Sequence, residues 1–113
     1  MSVSASSLTT IAGASSAIAA AWHLDEFAVS LTGSATNTVV AYRSDLVGFI
    51  AWAEAAGVSS PATVDRIVLR RYVAWLTSGG LAKRSVARKV SSLRRYFGYL
   101  RRLGVLEIDP SVA

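Results

Sequence analysis

The chain contains no cysteine. Disulfides, thiolate metal sites and thiol nucleophiles are excluded together, and the composition fits a reducing, cytoplasmic compartment. Histidine occurs once, at His23. No acid–base partner for it is evident in the sequence, so a surface position is expected. Proline occurs only at Pro61 and Pro110, both outside the helical patterns described below. No apolar run approaches the ~18 residues that a membrane-spanning helix requires. Met1 to Leu24 has no charged side chain except a partial one on His23. It lacks a basic start, however, and Ser and Thr interrupt its apolar residues, so it does not read as a signal peptide. The acids Asp25, Glu26, Asp45, Glu54, Asp65, Glu107 and Asp109 follow no metal-ligand or paired-carboxylate spacing. A phosphate loop and a nucleophile elbow are also missing. The chain alone is expected to be no enzyme and to hold no metal or cofactor.

What is present is positive charge, unevenly distributed. The formal net charge is +5 over 113 residues, a length that suits one domain. Arg66, Arg70, Arg71, Lys83, Arg84, Arg88, Lys89, Arg94, Arg95, Arg101 and Arg102 account for all the basic residues but Arg43. No acidic residue lies between Asp65 and Glu107. Ordinary surfaces mix both signs. A long segment of one sign attracts a polyanion.

Hydrophobic periodicity divides the chain into four main helices joined by short Gly- or Ser-containing turns. The first fifteen residues read as a flexible tail. Helix one is expected over 16–31, with Leu24, Phe27 and Leu31 at helical spacing and Gly33 as its stop. Helix two is expected from Thr36 or Thr38 to Ala55. Its stripe is Val39, Tyr42, Leu46, Phe49, Ile50 and Ala53, with Thr36 as N-cap and Gly57 taking a positive φ after its end. Helix three spans 65–78, capped by Asp65, with Val68, Leu69, Tyr72, Val73 and Leu76 inward. Gly79-Gly80 ends it. Helix four spans 83–103, with Val86, Val90, Leu93, Phe97 and Leu100 inward and Gly104 after it. Val105 to Ile108 is too short to build a sheet, even if extended. These features define an all-α class and a compact helical bundle.

Helix four carries the functional signal. At about 100° per residue, Arg84, Arg88, Ser91, Arg95 and Arg102 fall opposite its apolar stripe, and Lys83, Lys89, Arg94 and Arg101 lie along the flanks. An arginine-rich helix with a buried back suits the DNA major groove. Arg84, Ser85, Arg88 and Lys89 lie near the N-terminus, where free backbone N–H groups attract phosphate. Periodicity does not separate arginines that read bases from those that hold phosphate. Helix two offers a second surface at Thr38, Tyr42 and Arg43. There Arg43 pairs either with Asp45 or Glu54, or with phosphate. Trp52 and Trp75 are expected in or near the core. Trp22 packs either in the core or against another subunit. The four tyrosines pack their rings and keep their hydroxyls for water or phosphate.

Two stretches carry a family resemblance. The first, Thr36 to Gly57, places Thr38, Tyr42, Arg43, Asp45 and Leu46 as a Thr, a Tyr-Arg pair and an Asp-Leu pair. The second, Leu69 to Ser111, follows a glycine turn with Ser85, Arg88, Ser91, Arg94 and Phe97 in a Ser-x-x-Arg-x-x-Ser-x-x-Arg-x-x-Phe pattern, and closes on Asp109-Pro110. In order and spacing they resemble the N-terminal core-binding domain of tyrosine recombinases of the Xer and phage-integrase types. The resemblance covers roughly 16–111. One departure is Ala82, where relatives often have a Ser or Thr N-cap.

The resemblance implies a SAM-like orthogonal bundle that grips double-stranded DNA at a recombination core site. Its contacts are expected through Thr38, Tyr42 and Arg43 on helix two and through Lys83, Arg84, Ser85, Arg88, Lys89, Ser91 and Arg95 on helix four. It further implies a catalytic domain, absent from this chain, that cuts and rejoins DNA through a phosphotyrosine link without a nucleotide cofactor. None of the tyrosines here takes the nucleophile's role. The parent is expected to act as a tetramer on two sites, with the isolated chain monomeric. A Xer-like parent resolves chromosome dimers around cell division; an integrase-like parent moves a phage or mobile element. The basic bundle also fits a helix-turn-helix regulator, or a module that meets an acidic protein.

Overall fold

The computed structural model describes residues 16–31 and 33–112. The expected tail over 1–15 lies outside the described residues. Among the described residues five α-helices follow in order: α1 over 16–21, α2 (Leu24–Ser30), α3 (Thr36–Ala55), α4 (Arg66–Ser78) and α5 (Lys83–Arg102). A single 3₁₀ turn, Pro61–Thr63, joins α3 to α4. The described residues include no strand, and the all-α expectation holds. Residues 105–109 run as bends and not as an extended segment, with Leu106 tucked into the core.

The one helix expected over 16–31 is two. His23 adopts a left-handed conformation with φ 55°, which costs a non-glycine residue roughly 1–2 kcal/mol. The hydrogen-bond ladder restarts beyond it, with the Phe27 N–H donating to the His23 carbonyl. The break lets Trp22 turn wholly into the core. There its indole Nε1–H donates to Glu54 Oε2 at 2.8 Å. A buried tryptophan needs a partner for this donor, and the bend supplies one from α3.

The remaining boundaries follow local chemistry. Asp65 caps α4, its Oδ1 accepting from the Val68 N–H at 2.8 Å. This satisfies one of the donors a helix start leaves free. The N-cap of α3 is Ala35, not Thr36, and that of α5 is Ala82; neither provides a side-chain cap. Beyond α3, Gly57 takes φ 85°, and the Val58 N–H folds back onto the Ala53 carbonyl at 2.8 Å. This is the left-handed closure that glycine allows without strain.

The largest helix–helix interface joins α3 to α5; α2 packs on α3 and α4 on α5. Phe49 of α3 sits at the centre. Its ring meets Tyr72 of α4 at 5.0 Å, Trp22 at 5.9 Å and Phe97 of α5 at 6.1 Å, all edge to face. Aromatic rings favour this arrangement because positive edges meet negative faces. The buried side of α5 is rotated from the expected stripe. Ser92, Leu93, Tyr96, Phe97 and Leu100 are buried, whereas Val86 and Val90 are only half-buried. The rotation brings the Ser92–Tyr96 side of α5 against α3 and the α1–α2 break.

Candidate nucleic-acid interface

The polar centre of the molecule is Asp45 on α3. Its side chain is 2% exposed. Three groups of α5 converge on it. Arg88 Nη2 donates to Asp45 Oδ1 at 2.8 Å, Lys89 Nζ reaches the same oxygen at 3.3 Å, and Ser92 Oγ donates to Oδ2 at 2.7 Å. A buried carboxylate without partners is costly. Here both oxygens are engaged, and the arrangement ties α3 to α5 at one register.

The two cations differ in what remains outside. The Arg88 side chain is 59% exposed and that of Lys89 20%. Lys89 therefore points inward toward Asp45 and is not a flank residue of the outer face. This follows from the rotation of α5, which brings Lys89 to the same side as Ser92 and Tyr96. Arg88 keeps more than half of its side chain exposed.

Several expected residues are brought together. Arg95 lies over the Tyr42 ring, with Cζ 5.4 Å from the centroid, a cation–π distance. The contact joins the α5 face to the α3 face. Lys83, Arg84, Arg88, Ser91 and Arg95 are exposed on α5, with Ser85 half-buried among them, and Thr38 is exposed at the start of α3. The basic side chains Arg94, Arg101 and Arg102 are exposed as well.

Arg43 stands apart from this group. It pairs with neither Asp45 nor Glu54 but with Asp25 of α2, at 3.5 Å. Asp45 is taken by α5, and Glu54 accepts from Trp22, so the nearby α2 carboxylate is the remaining partner. His23 likewise has a carboxylate neighbour, its Nδ1 lying 3.1 Å from Glu26 Oε2; the expectation that it lacked a partner is corrected. The break at His23 sets both side chains one turn apart on the same face.

The aromatic residues divide three ways. Trp22 is fully buried, Trp52 is half-buried, and Trp75 is 56% exposed. Trp75 leans on the Tyr72 ring at 6.1 Å and nearly parallel, outside the core expected for it. The Tyr96 hydroxyl does not meet solvent or phosphate; it donates to the Trp22 carbonyl. Burial pushes this hydroxyl well above the ordinary tyrosine value. Burial, and secondarily the Asp45 carboxylate, raises Tyr72 to about 12.

Ser92 is the residue that sequence reasoning missed. The repeated Ser-x-x-Arg pattern directs attention to Ser91, which is exposed, while its neighbour Ser92 is buried and binds Asp45. One signal was available. Ser92 lies four residues from both Arg88 and Tyr96, a small polar residue inside what proves to be the inward stripe.

Comparison with known proteins places the sequence among relatives. The family model described as phage integrase, N-terminal SAM-like domain, matches residues 24–104. The chain is 38% identical to the tyrosine recombinase XerD of Pseudomonas putida over 92 residues, which is 79% of this chain and 30% of that protein. It is 34% identical to the tyrosine recombinase XerD of Listeria monocytogenes over 87 residues, covering 76% of this chain and 29% of that one. The tyrosine recombinase XerC of Chromohalobacter salexigens is 36% identical over 88 residues, or 77% of this chain and 30% of the relative. The chain thus spans about 30% of the length of the curated relatives it matches. No solved structure gives a significant match. Among the described residues, no helix is long and apolar enough to cross a membrane.

Proposed function

The chain belongs to the phage integrase N-terminal SAM-like domain family, and from that membership we propose that it grips duplex DNA for a site-specific tyrosine recombinase. The domain is residues 16–111. The basic outer face of α5 enters the major groove, and the N-terminal half of α3 lies beside it. Cutting and rejoining of strands belong to a catalytic domain outside the aligned region. The assembled enzyme acts as a tetramer on two sites.

One observation carries this reading. Arg84, Arg88 and Arg95 share one side of α5 by helical spacing and are exposed, with Lys83 exposed at its first turn, and Arg95 bridges to Tyr42 on α3. A helix with a buried back and a cationic front fits the wide groove, and the exposed cations neutralise phosphates. Thr38 and Tyr42 contact the backbone beside the groove. Lys83, Arg84 and Ser85 lie at the first turn of α5, where its free N–H groups add to phosphate binding. Ser91 extends the face. Arg43 reaches phosphate only by leaving Asp25, and Lys89 contributes mainly charge, since its amine is held by Asp45.

The test is a heteronuclear NMR titration at low and moderate salt. A duplex carrying a candidate recombination half-site is compared with a scrambled duplex. Shifts at Thr38 and Tyr42 and between Arg84 and Arg95, larger with the half-site, are expected. Binding should weaken with salt, with a logarithmic slope of about 0.9 for each phosphate contacted. No shifts with either duplex at low salt would overturn the proposal and favour an acidic protein partner.

A further inference from the structure

Resting on the DNA-binding reading, we propose that Arg88 is the arginine of α5 that reads a base, and that Asp45 is the positioning residue that makes it so. The helix presents six arginines: Arg84, Arg88, Arg94, Arg95, Arg101 and Arg102. Their spacing does not rank them. Their surroundings do. Among the described residues, no α5 arginine other than Arg88 makes an ion pair.

The contact to Asp45 has the form that preorganisation requires. The carboxylate is fixed before it meets Arg88, because it is buried and its second oxygen is held by Ser92. Ser92 Oγ also lies 3.3 Å from the Arg88 carbonyl, so the same serine touches both the carboxylate and the backbone that carries the arginine. A guanidinium has five N–H donors in a planar fork. One of them points at Asp45 Oδ1, and the side chain remains more than half exposed. One end of the fork is therefore anchored while the side chain as a whole stays largely open to a ligand.

Base reading needs this more than phosphate binding does. A phosphate accepts from many directions, so a freely rotating arginine serves it adequately. Guanine presents O6 and N7 in one plane at one spacing, and the bidentate contact requires an oriented fork. Holding that fork in advance removes part of the ordering cost of binding. The remaining α5 arginines, unpaired with acids, are suited to phosphates. Arg95 is steadied by the Tyr42 ring, but a ring face does not fix the direction of the guanidinium donors.

Asp45 also opposes binding in one respect, which gives the proposal a distinctive signature. Its negative charge lowers the field of the face it organises. Asp45→Asn leaves an amide that still meets Ser92 and raises the formal net charge from +5 by one unit. Non-specific affinity should then hold or rise while sequence preference falls. A residue that merely supports the fold would lose both.

The experiment applies the full chain to a pool of short duplexes with a randomised centre at moderate salt, and sequences the bound fraction. Affinity for the unselected pool is measured in parallel, and folding is checked by circular dichroism. The wild type should enrich guanine at a fixed position. Asp45→Asn should lose about tenfold or more of that preference, with pool affinity equal or higher. Arg88→Lys keeps the charge and the Asp45 partner but lacks the fork, and should lose the same preference with the fold intact. A folded Arg88→Lys or Asp45→Asn protein that retains the wild-type preference overturns the assignment. So does a wild type that binds the pool yet enriches no position. A wild type that retains no duplex even at low salt removes the DNA-binding reading itself.

Discussion

The Tyr96 hydroxyl donates to the backbone carbonyl of Trp22, a bond across 74 residues. It joins the middle of α5 to the point where α1 breaks from α2, and both side chains are fully buried. The two rings at this junction are also packed by neighbours, Trp22 by Phe49 and Tyr96 by Phe27. Tyr96→Phe keeps the ring packing and removes the donor. The carbonyl then loses a partner in a site that water does not reach. The expected loss is about 1–3 kcal/mol, read as a lower midpoint in urea unfolding with an unchanged slope. A midpoint equal to that of the wild type would show that the bond contributes nothing net.

Buried tyrosines also predict a loss of stability in alkali. A buried tyrosine resists ionisation in the folded state, and Tyr72 is raised from 10.0 to about 12. Below pH 10 the hydroxyl is protonated in both states, and its contribution is complete. Above pH 10 the unfolded chain releases the proton first, so the folded state binds more protons and stability falls as pH rises. The fall continues until pH reaches about 12, the folded value. Two units correspond to on the order of 2–3 kcal/mol. Tyr72→Phe should flatten this part of the curve, measured as urea midpoints at intervals from pH 9 to pH 11.5. An identical slope in the two proteins would remove Tyr72 as a cause.

The first and last tryptophans of the chain should respond very differently. Trp22 is fully buried, its indole N–H donating to Glu54. Trp22→Ala opens a large cavity and strands the carboxylate, at a cost of about 3–5 kcal/mol. Trp75 is 56% exposed and only leans on Tyr72. Trp75→Ala should cost under about 1 kcal/mol, in the range of surface substitutions. Denaturant titration of both variants checks the contrast. In the wild type, iodide should quench Trp75 before Trp22, because only the former is open to solvent.

These residues also mark what the sequence discloses and what it hides. The α4 cap was legible because Asp65 and the Val68 N–H that donates to it are local, three residues apart. The apolar residues Leu46, Phe49, Leu93, Phe97 and Leu100 were legible as core because their period matches the helix. The break at His23 was not, since neither Gly nor Pro marks it and the reason for it lies in distant packing by Glu54 and Tyr96. Trp75 lies outside the core because α4 turns Tyr72 and Leu76 inward and leaves Trp75 leaning on the outer side of the Tyr72 ring. The cationic face was readable as a composition along α5. Which cation is held, and by what, was not. Asp45 and Arg88 are separated by 43 residues, and a pairing at that distance depends on how α5 is rotated. That rotation placed Lys89 and Ser92 inward, although simple counting around the stripe had put one on a flank and passed over the other.

The start of α5 offers a separation of stability from binding. Ala82 is the N-cap, with extended φ and ψ of −61° and 145° and no side-chain hydrogen bond. A serine fits this backbone and its hydroxyl can accept from the free N–H groups of the first turn, so Ala82→Ser should add about 0.5–2 kcal/mol. Ala82→Asp should stabilise the isolated chain as well, since a carboxylate favours the positive end of the helix dipole. The two differ once DNA is present. The aspartate occupies the N–H groups with a negative charge beside Lys83 and Arg84 and repels an approaching phosphate. Thermal melting should therefore rise in both variants. DNA affinity at low salt should stay near wild type for Ala82→Ser and fall severalfold for Ala82→Asp. Equal affinity in both would place the first turn of α5 away from the phosphate backbone, and would confine the DNA contact to the later turns around Arg88 and Arg95.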